Sequence, residues 1–208
     1  MSADWQTYRL GDFIPFTPEV YFRLMERANA AFWPWQLATV ALGLAALVLA
    51  LRGNHRSALI ALAPAWVISA LAFHFEFYAE INVAAPWFGW AFIAQAALLA
   101  IVAGWPGAGR LQSPRSRPGP IRKTVGTGIA ALGIVAWPLL ALVMGHGWSR
   151  SEVFGLHPDP TAIATLGIAL LAANGLRAVL AIALPVLWCI VATLTLMALL
   201  QPDHHGLG

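Results

Sequence analysis

Three short stretches hold side chains whose types and spacing can do chemistry. FHFEFYAEIN, residues 73–82, sets His74, Glu76, Tyr78, Glu80 and Asn82 close together. VFGLHPDPTAIATLG, residues 153–167, adds His157 and Asp159, each flanked by proline. The tail PDHHG, residues 202–206, carries His204 and His205. An imidazole titrates near neutral pH, so beside carboxylates it can relay a proton, attract a cation or ligate a metal.

On a helix, His74 lies one turn from Tyr78 and Glu76 one turn from Glu80, while His74 and Glu76 point to nearly opposite sides. The stretch therefore makes two polar stripes, each needing partners from elsewhere. An ionisable group at membrane depth is costly unless it is paired or faces water, which makes His74 and Glu76 functional candidates. The plain structural alternative is a carboxylate near the interface that snorkels outward. Asp159 reads as the cap of the helix that follows, with Pro160 at its first position and Pro158 holding Leu156 and His157 extended. That reading leaves His157 without a structural role.

Other chemistry finds less support. His146, His157, His204 and His205 include no pair at H-x3-H spacing, and the one cysteine, Cys189, lies in an apolar run, so no metal ligands are assigned. There is no G-x-S-x-G, no H-E-x-x-H and no phosphate-cradling glycine loop; the G-x-G at 126–128 opens a helix without a preceding strand. The sequence points away from an enzyme, and no catalytic residue or cofactor site is assigned.

The elements that must position these residues are membrane helices. Of the 208 residues 60% are hydrophobic and 10% charged, more apolar surface than a soluble domain of this length can hide. The net charge of +3 is not gathered on any soluble amphipathic element, which excludes nucleic acid as a partner. Six apolar runs are expected to span: 31–51, 58–77, 86–105, 125–144, 160–176 and 178–200. The fifth is short, and Asn174-Gly175 predicts a tight turn that makes it a hairpin with the sixth. A re-entrant fifth segment is the alternative. The fold class is thus an all-α polytopic bundle of about six spans.

Ahead of the spans, residues 1–30 form an amino-terminal segment. Its acids (Asp4, Asp12, Glu19 and Glu26) argue against a cleaved signal peptide. Within it, TPEVYFRLMERANAAF predicts an interfacial amphipathic helix, with Thr17 as N-cap, Pro18 in its first position and Glu19 complementing the dipole. Spans one to three occupy 31–105, a basic Pro/Gly/Ser-rich loop 106–123, spans four to six 124–200, and a tail 201–208. Lys and Arg are in excess on the side holding that loop, so the positive-inside rule places it in the cytoplasm and both termini outside. All nine carboxylates then fall on the outer side or at outer helix ends. The tryptophans mostly sit near the expected interfaces as anchors.

The expected function is a channel or permease for a small solute, entered from an acidic, His-bearing outer vestibule lined by His74, Glu76, Tyr78, Glu80, Asn82, His157 and Asp159. No Asp, Lys or Arg is expected deep within the spans, which favours passive movement of an uncharged solute over proton-coupled pumping. The partners expected are the lipid bilayer and, as in other small channels, further copies of the chain. Two alternatives are a non-transporting accessory subunit of a membrane complex and a metal-handling membrane protein or membrane enzyme.

YRLGDFIPFTPEVYFRLMERANAAFWPWQ, FHFEFYAEINVAAPWF and EVFGLHPDPTAIATLG together resemble a bacterial family of small multi-span membrane proteins of unknown function. That resemblance covers most of the chain and implies a bacterial inner-membrane location and no assigned chemistry. The chain is also faintly similar to the urea and amide channels, through Tyr78, Ile81 and Asn82 and through Val153, Gly155 and Asp159. The long amphipathic amino terminus and the 106–123 loop depart from that pattern.

Overall fold

The computed structural model describes residues 16–106, 118–145 and 147–199. Most of the 106–123 loop, the carboxyl tail, Asp4, Asp12, Asp203, His146, His204 and His205 lie outside the described residues. Helix α1 (Pro18–Ala31) leads into α2 (Trp35–Leu51) and α3 (His55–Ile68), which continues as a wider π-helical stretch, Ser69–Phe75. Helix α4 (Ala85–Gly104) follows, then α5 (Pro120–Ala131), which passes through a second π-helical stretch, Leu132–Ala136, into α6 (Trp137–Val143). A connector, residues 147–157, leads to α7 (Pro158–Ala172) and α8 (Leu176–Leu199). The fold is all-helical; among the described residues β pairing is limited to one isolated bridge, Phe154 with His157.

Local signals set several boundaries. The Thr17 hydroxyl accepts the Val20 amide, and Pro18 opens α1. Gly175 adopts φ 59° between α7 and α8, the left-handed conformation for which glycine is suited. Pro64 lies inside α3, where it removes one backbone donor, and the π-helical stretch begins five residues later. Near the end of that stretch Ala72, Phe73 and His74 are all buried.

Residues 55–80, 85–104, 120–143 and 176–199 are each long and apolar enough to cross a membrane, and α1 with α2, bent by 90°, makes a fifth such unit. Helix α7, the short fifth run expected either to span or to be re-entrant, has 15 residues, about 22 Å against a hydrocarbon core of about 30 Å. Its shortness fits its place in the fold. Eleven of those 15 residues are buried, and α2, α3, α5 and α8 all pack against it. A helix shielded by protein does not need to match the lipid.

The tightest crossing is between α5 and α7. A Cβ on Gly133 would come 2.6 Å from the Pro160 carbonyl oxygen and 2.5 Å from the Ala164 nitrogen, and one on Gly167 would come 2.5 Å from the Gly126 carbonyl oxygen. Small residues let two backbones meet here. The connector packs equally closely on α2, Phe154 filling the space beside Gly43 and Gly155 lying over Thr39.

The bundle has two chemically distinct ends. Glu19, Glu26, Glu76, Glu80 and Glu152 belong to the end that α1 crosses, whereas Arg52, Arg56, Arg122, Lys123 and Arg177 belong to the opposite end. Two ion pairs hold α1 in place: Arg27 forks onto Glu80 at 2.6 and 3.0 Å, and Arg150 Nε reaches Glu26 at 2.6 Å. Asn29 adds two 2.8 Å hydrogen bonds to the carbonyls of Ser149 and Ser151.

Candidate functional site

Beneath α1, three separate segments bring their polar residues together. The π-helical stretch that continues α3 supplies Phe73 and His74, and the turn after it Tyr78; the connector supplies Glu152 and His157; the first turn of α7 supplies Asp159. Phe73 is the hub, with its ring centroid 5.4 Å from His157, 5.5 Å from His74 and 5.5 Å from Tyr78. His74 is fully buried between Phe92 at 4.5 Å and Trp188 of α8 at 5.0 Å.

The expected cap geometry of α7 is corrected. The helix starts at Pro158 with extended His157 as the N-cap. His157 turns its ring back so that Nδ1 accepts the Val153 amide at 2.9 Å. Thr161 completes the turn, its hydroxyl accepting the Gly155 amide and donating to the His157 carbonyl, both at 2.7 Å. Asp159 is thereby released from capping, and its Oδ1 accepts the Trp188 indole N–H at 2.7 Å. Trp188 is eleven residues from the last residue of α8, so Asp159 lies about 16 Å along the bundle from that end.

Glu152 is held by neutral donors too. Tyr21 Oη donates to one carboxylate oxygen at 3.3 Å and Trp137 Nε1 to the other at 2.9 Å. The ion pairs among the described residues are Arg27–Glu80 and Arg150–Glu26, so neither Glu152 nor Asp159 has a cationic partner there. Burial, reinforced by the nearby charge of Asp159, raises the Glu152 carboxyl to about 8. The unfolded chain has already lost this proton above its ordinary value near 4.5, so native stability is full below that pH and falls as pH rises through about 8. Thermal unfolding in detergent between pH 5 and 8 is expected to show this fall, and Glu152→Gln to remove most of it. An unchanged slope in the variant would place the titration elsewhere.

Several buried polar atoms have no hydrogen-bond partner: both ring nitrogens of His74, His157 Nε2, Ser69 Oγ, Gln95 Oε1 and His55 Nδ1. His157 accepts at Nδ1, so its proton sits on Nε2 as a donor lacking an acceptor. These atoms occur at successive depths. His74 and Ser69 are on the α1-side part of the α3 run, Gln95 is halfway along α4 and donates to the Ala181 carbonyl at 2.9 Å, and His55 begins α3 at the far end.

Of the residues singled out from sequence, the fold brings together His74, Tyr78, His157 and Asp159. Asn82 joins at the edge by donating to Tyr78 Oη at 2.9 Å. Glu76 points to the exterior, and Glu80 is engaged by Arg27 at the surface. Sequence reasoning passed over Tyr21, Trp137, Glu152 and Trp188. Trp188 carried a usable signal, because an indole placed mid-way along an apolar run, away from the interfaces, needs a partner for its N–H. Among the described residues, no three His, Cys, Asp or Glu side chains are grouped so as to hold a metal ion.

No curated protein and no solved structure matches the chain. A model described as a family of unknown function, DUF6064, matches residues 18–207, which takes in α1, the connector and every residue of the buried cluster. The chain is a member of the DUF6064 family.

Proposed function

We propose that this membrane protein is a permease or channel for a small cation or strongly hydrogen-bonding solute, entered from the α1 end. The observation that carries the reading is the set of unpartnered buried polar atoms at successive depths, on His157, His74, Ser69 and Gln95. A buried polar group without a partner costs on the order of 1–3 kcal/mol, a burden that structure alone gives no reason to repeat through one bundle. A solute or water passing between α3, α4, α7 and α8 would satisfy each group in turn. The two carboxylates without a cationic partner among the described residues favour positive charge, Glu152 near the entrance and Asp159 further in.

The rest of the reading follows from charge. With the basic end in the cytoplasm, as the positive-inside rule prefers, the acidic end and α1 face outward, α1 lying along the interface and α7 completing six crossings. The reading does not lean on the faint likeness to urea and amide channels. The test is flux in proteoliposomes, with methylammonium, alkali cations and urea as probes. At least one is expected to cross well above the rate in empty liposomes, and His74→Phe and Gln95→Leu to slow it. If no probe moves faster than in empty liposomes, the transport reading fails.

A further inference from the structure

The opposite end carries a separate site. His55, Arg56, Leu59, Val102, Ala172 and Arg177 are among the residues lining a shallow, half-open cleft between the start of α3, the end of α4 and the turn joining α7 to α8. Its floor is apolar and its rim is basic. Arg56 is exposed and Arg177 half-exposed, Arg177 donating to the Pro106 carbonyl at 3.1 Å. Arg122 already serves the fold, donating to Asn174 Oδ1 and to the Ala173 carbonyl at the end of α7. No ion pair among the described residues involves Arg52, Arg56, Arg122, Lys123 or Arg177.

Two further observations point to an anion. His55 is only 7% exposed, lines this cleft, and has an Nδ1 without a hydrogen-bond partner. The first turns of α3 and α8 both begin here, and helix N-termini present free amides and partial positive charge. The cleft has apolar walls at the end of a membrane bundle, which a lipid can reach with its headgroup while its chains stay in the bilayer. Basic recesses between spanning helices are suited to anionic headgroups for that reason.

We propose that this cleft binds the phosphate of an anionic phospholipid headgroup, with Arg56 and Arg177 as its charged contacts and His55 as a hydrogen-bonding contact. The site is distinct from the cluster beneath α1, and binding there does not depend on solute transport.

Native mass spectrometry of the detergent-purified full chain, titrated with phosphatidylglycerol or phosphatidylcholine, tests this. Phosphatidylglycerol is expected to bind more tightly, and Arg56→Gln with Arg177→Gln to remove the preference, about fivefold for each arginine. The Arg56→Lys with Arg177→Lys protein keeps the charge and is expected to retain most of the preference, which separates loss of the site from loss of the fold. Arg23→Gln, at the other end, is expected to leave it intact. A preference that survives the double glutamine change, or that Arg23→Gln removes equally, overturns the proposal. Inorganic phosphate displacing the lipid at low millimolar concentration would make the ligand a soluble phosphate and overturn the lipid assignment.

Discussion

Gly167→Leu is expected to prevent α5 and α7 from meeting and to lower stability by about 3 kcal/mol or more. Overpacking a well-filled interior commonly costs about 1–3 kcal/mol when side chains can shift. Here the obstruction is backbone: the added Cβ would lie 2.5 Å from the Gly126 carbonyl oxygen and 2.8 Å from the Ala130 Cα. Neither atom can rotate away, so the helices must separate. Separation would also disturb the first turns of α7, because Gly133 abuts Pro160 and Ala164. Gly128→Ala is the control. It lies on the facing helix, α5, with nothing within 4 Å of its added Cβ, and alanine improves helix propensity by up to about 1 kcal/mol. Thermal unfolding of the two purified variants in detergent checks this, and equal melting temperatures would refute the packing argument.

The second large effect concerns charge. Asp159→Asn keeps the shape of the side chain and leaves an amide oxygen for the Trp188 indole, which now donates at 2.7 Å, so the fold is expected to survive. The negative charge is lost. A hydrogen bond to a charged group contributes about 1.5–3 kcal/mol, so flux of a cationic probe in proteoliposomes is expected to fall about ten- to hundredfold. Urea flux, if present, is expected to change far less. Asp159→Leu is expected to lose flux and stability together, because it leaves the buried indole N–H without an acceptor. Unaltered cation flux in Asp159→Asn would remove Asp159 from the proposed path.

Much of the scaffold was legible because its signals are local. Hydropathy located the helices to within a few residues, Thr17-Pro18-Glu19 marked the start of α1, and Asn174-Gly175 marked the turn before α8. Local reasoning also explains the errors. Asp159 has the type and position of a helix cap, yet α7 starts earlier, at Pro158, with His157 in the N-cap position and its ring bonded back to the Val153 amide, four residues upstream. The Asp159 carboxylate then goes to an indole 29 residues further along the chain. No spacing rule reports such a pairing; it follows from the antiparallel packing of α7 on α8. Residues 125–144 read as one uninterrupted apolar run, and the π-helical turn within it changes neither composition nor length. Glu80 was placed in the vestibule for the company it keeps in sequence, but Arg27, 53 residues away, holds it at the surface.

On the proposed transport reading, the position of Asp159 alongside α8 has an electrical consequence. Its partner Trp188 stands near the midpoint of the 24-residue α8, so a cation reaching this carboxylate from the α1 end would cross roughly half of any voltage across the bilayer. A full crossing corresponds to about 2.3 kcal/mol per elementary charge at 100 mV, and half of it to about 1 kcal/mol. Occupancy of the site would then change several-fold between a polarised and a depolarised membrane. The sign of that change, read in oriented vesicles, would report which way the acidic end faces.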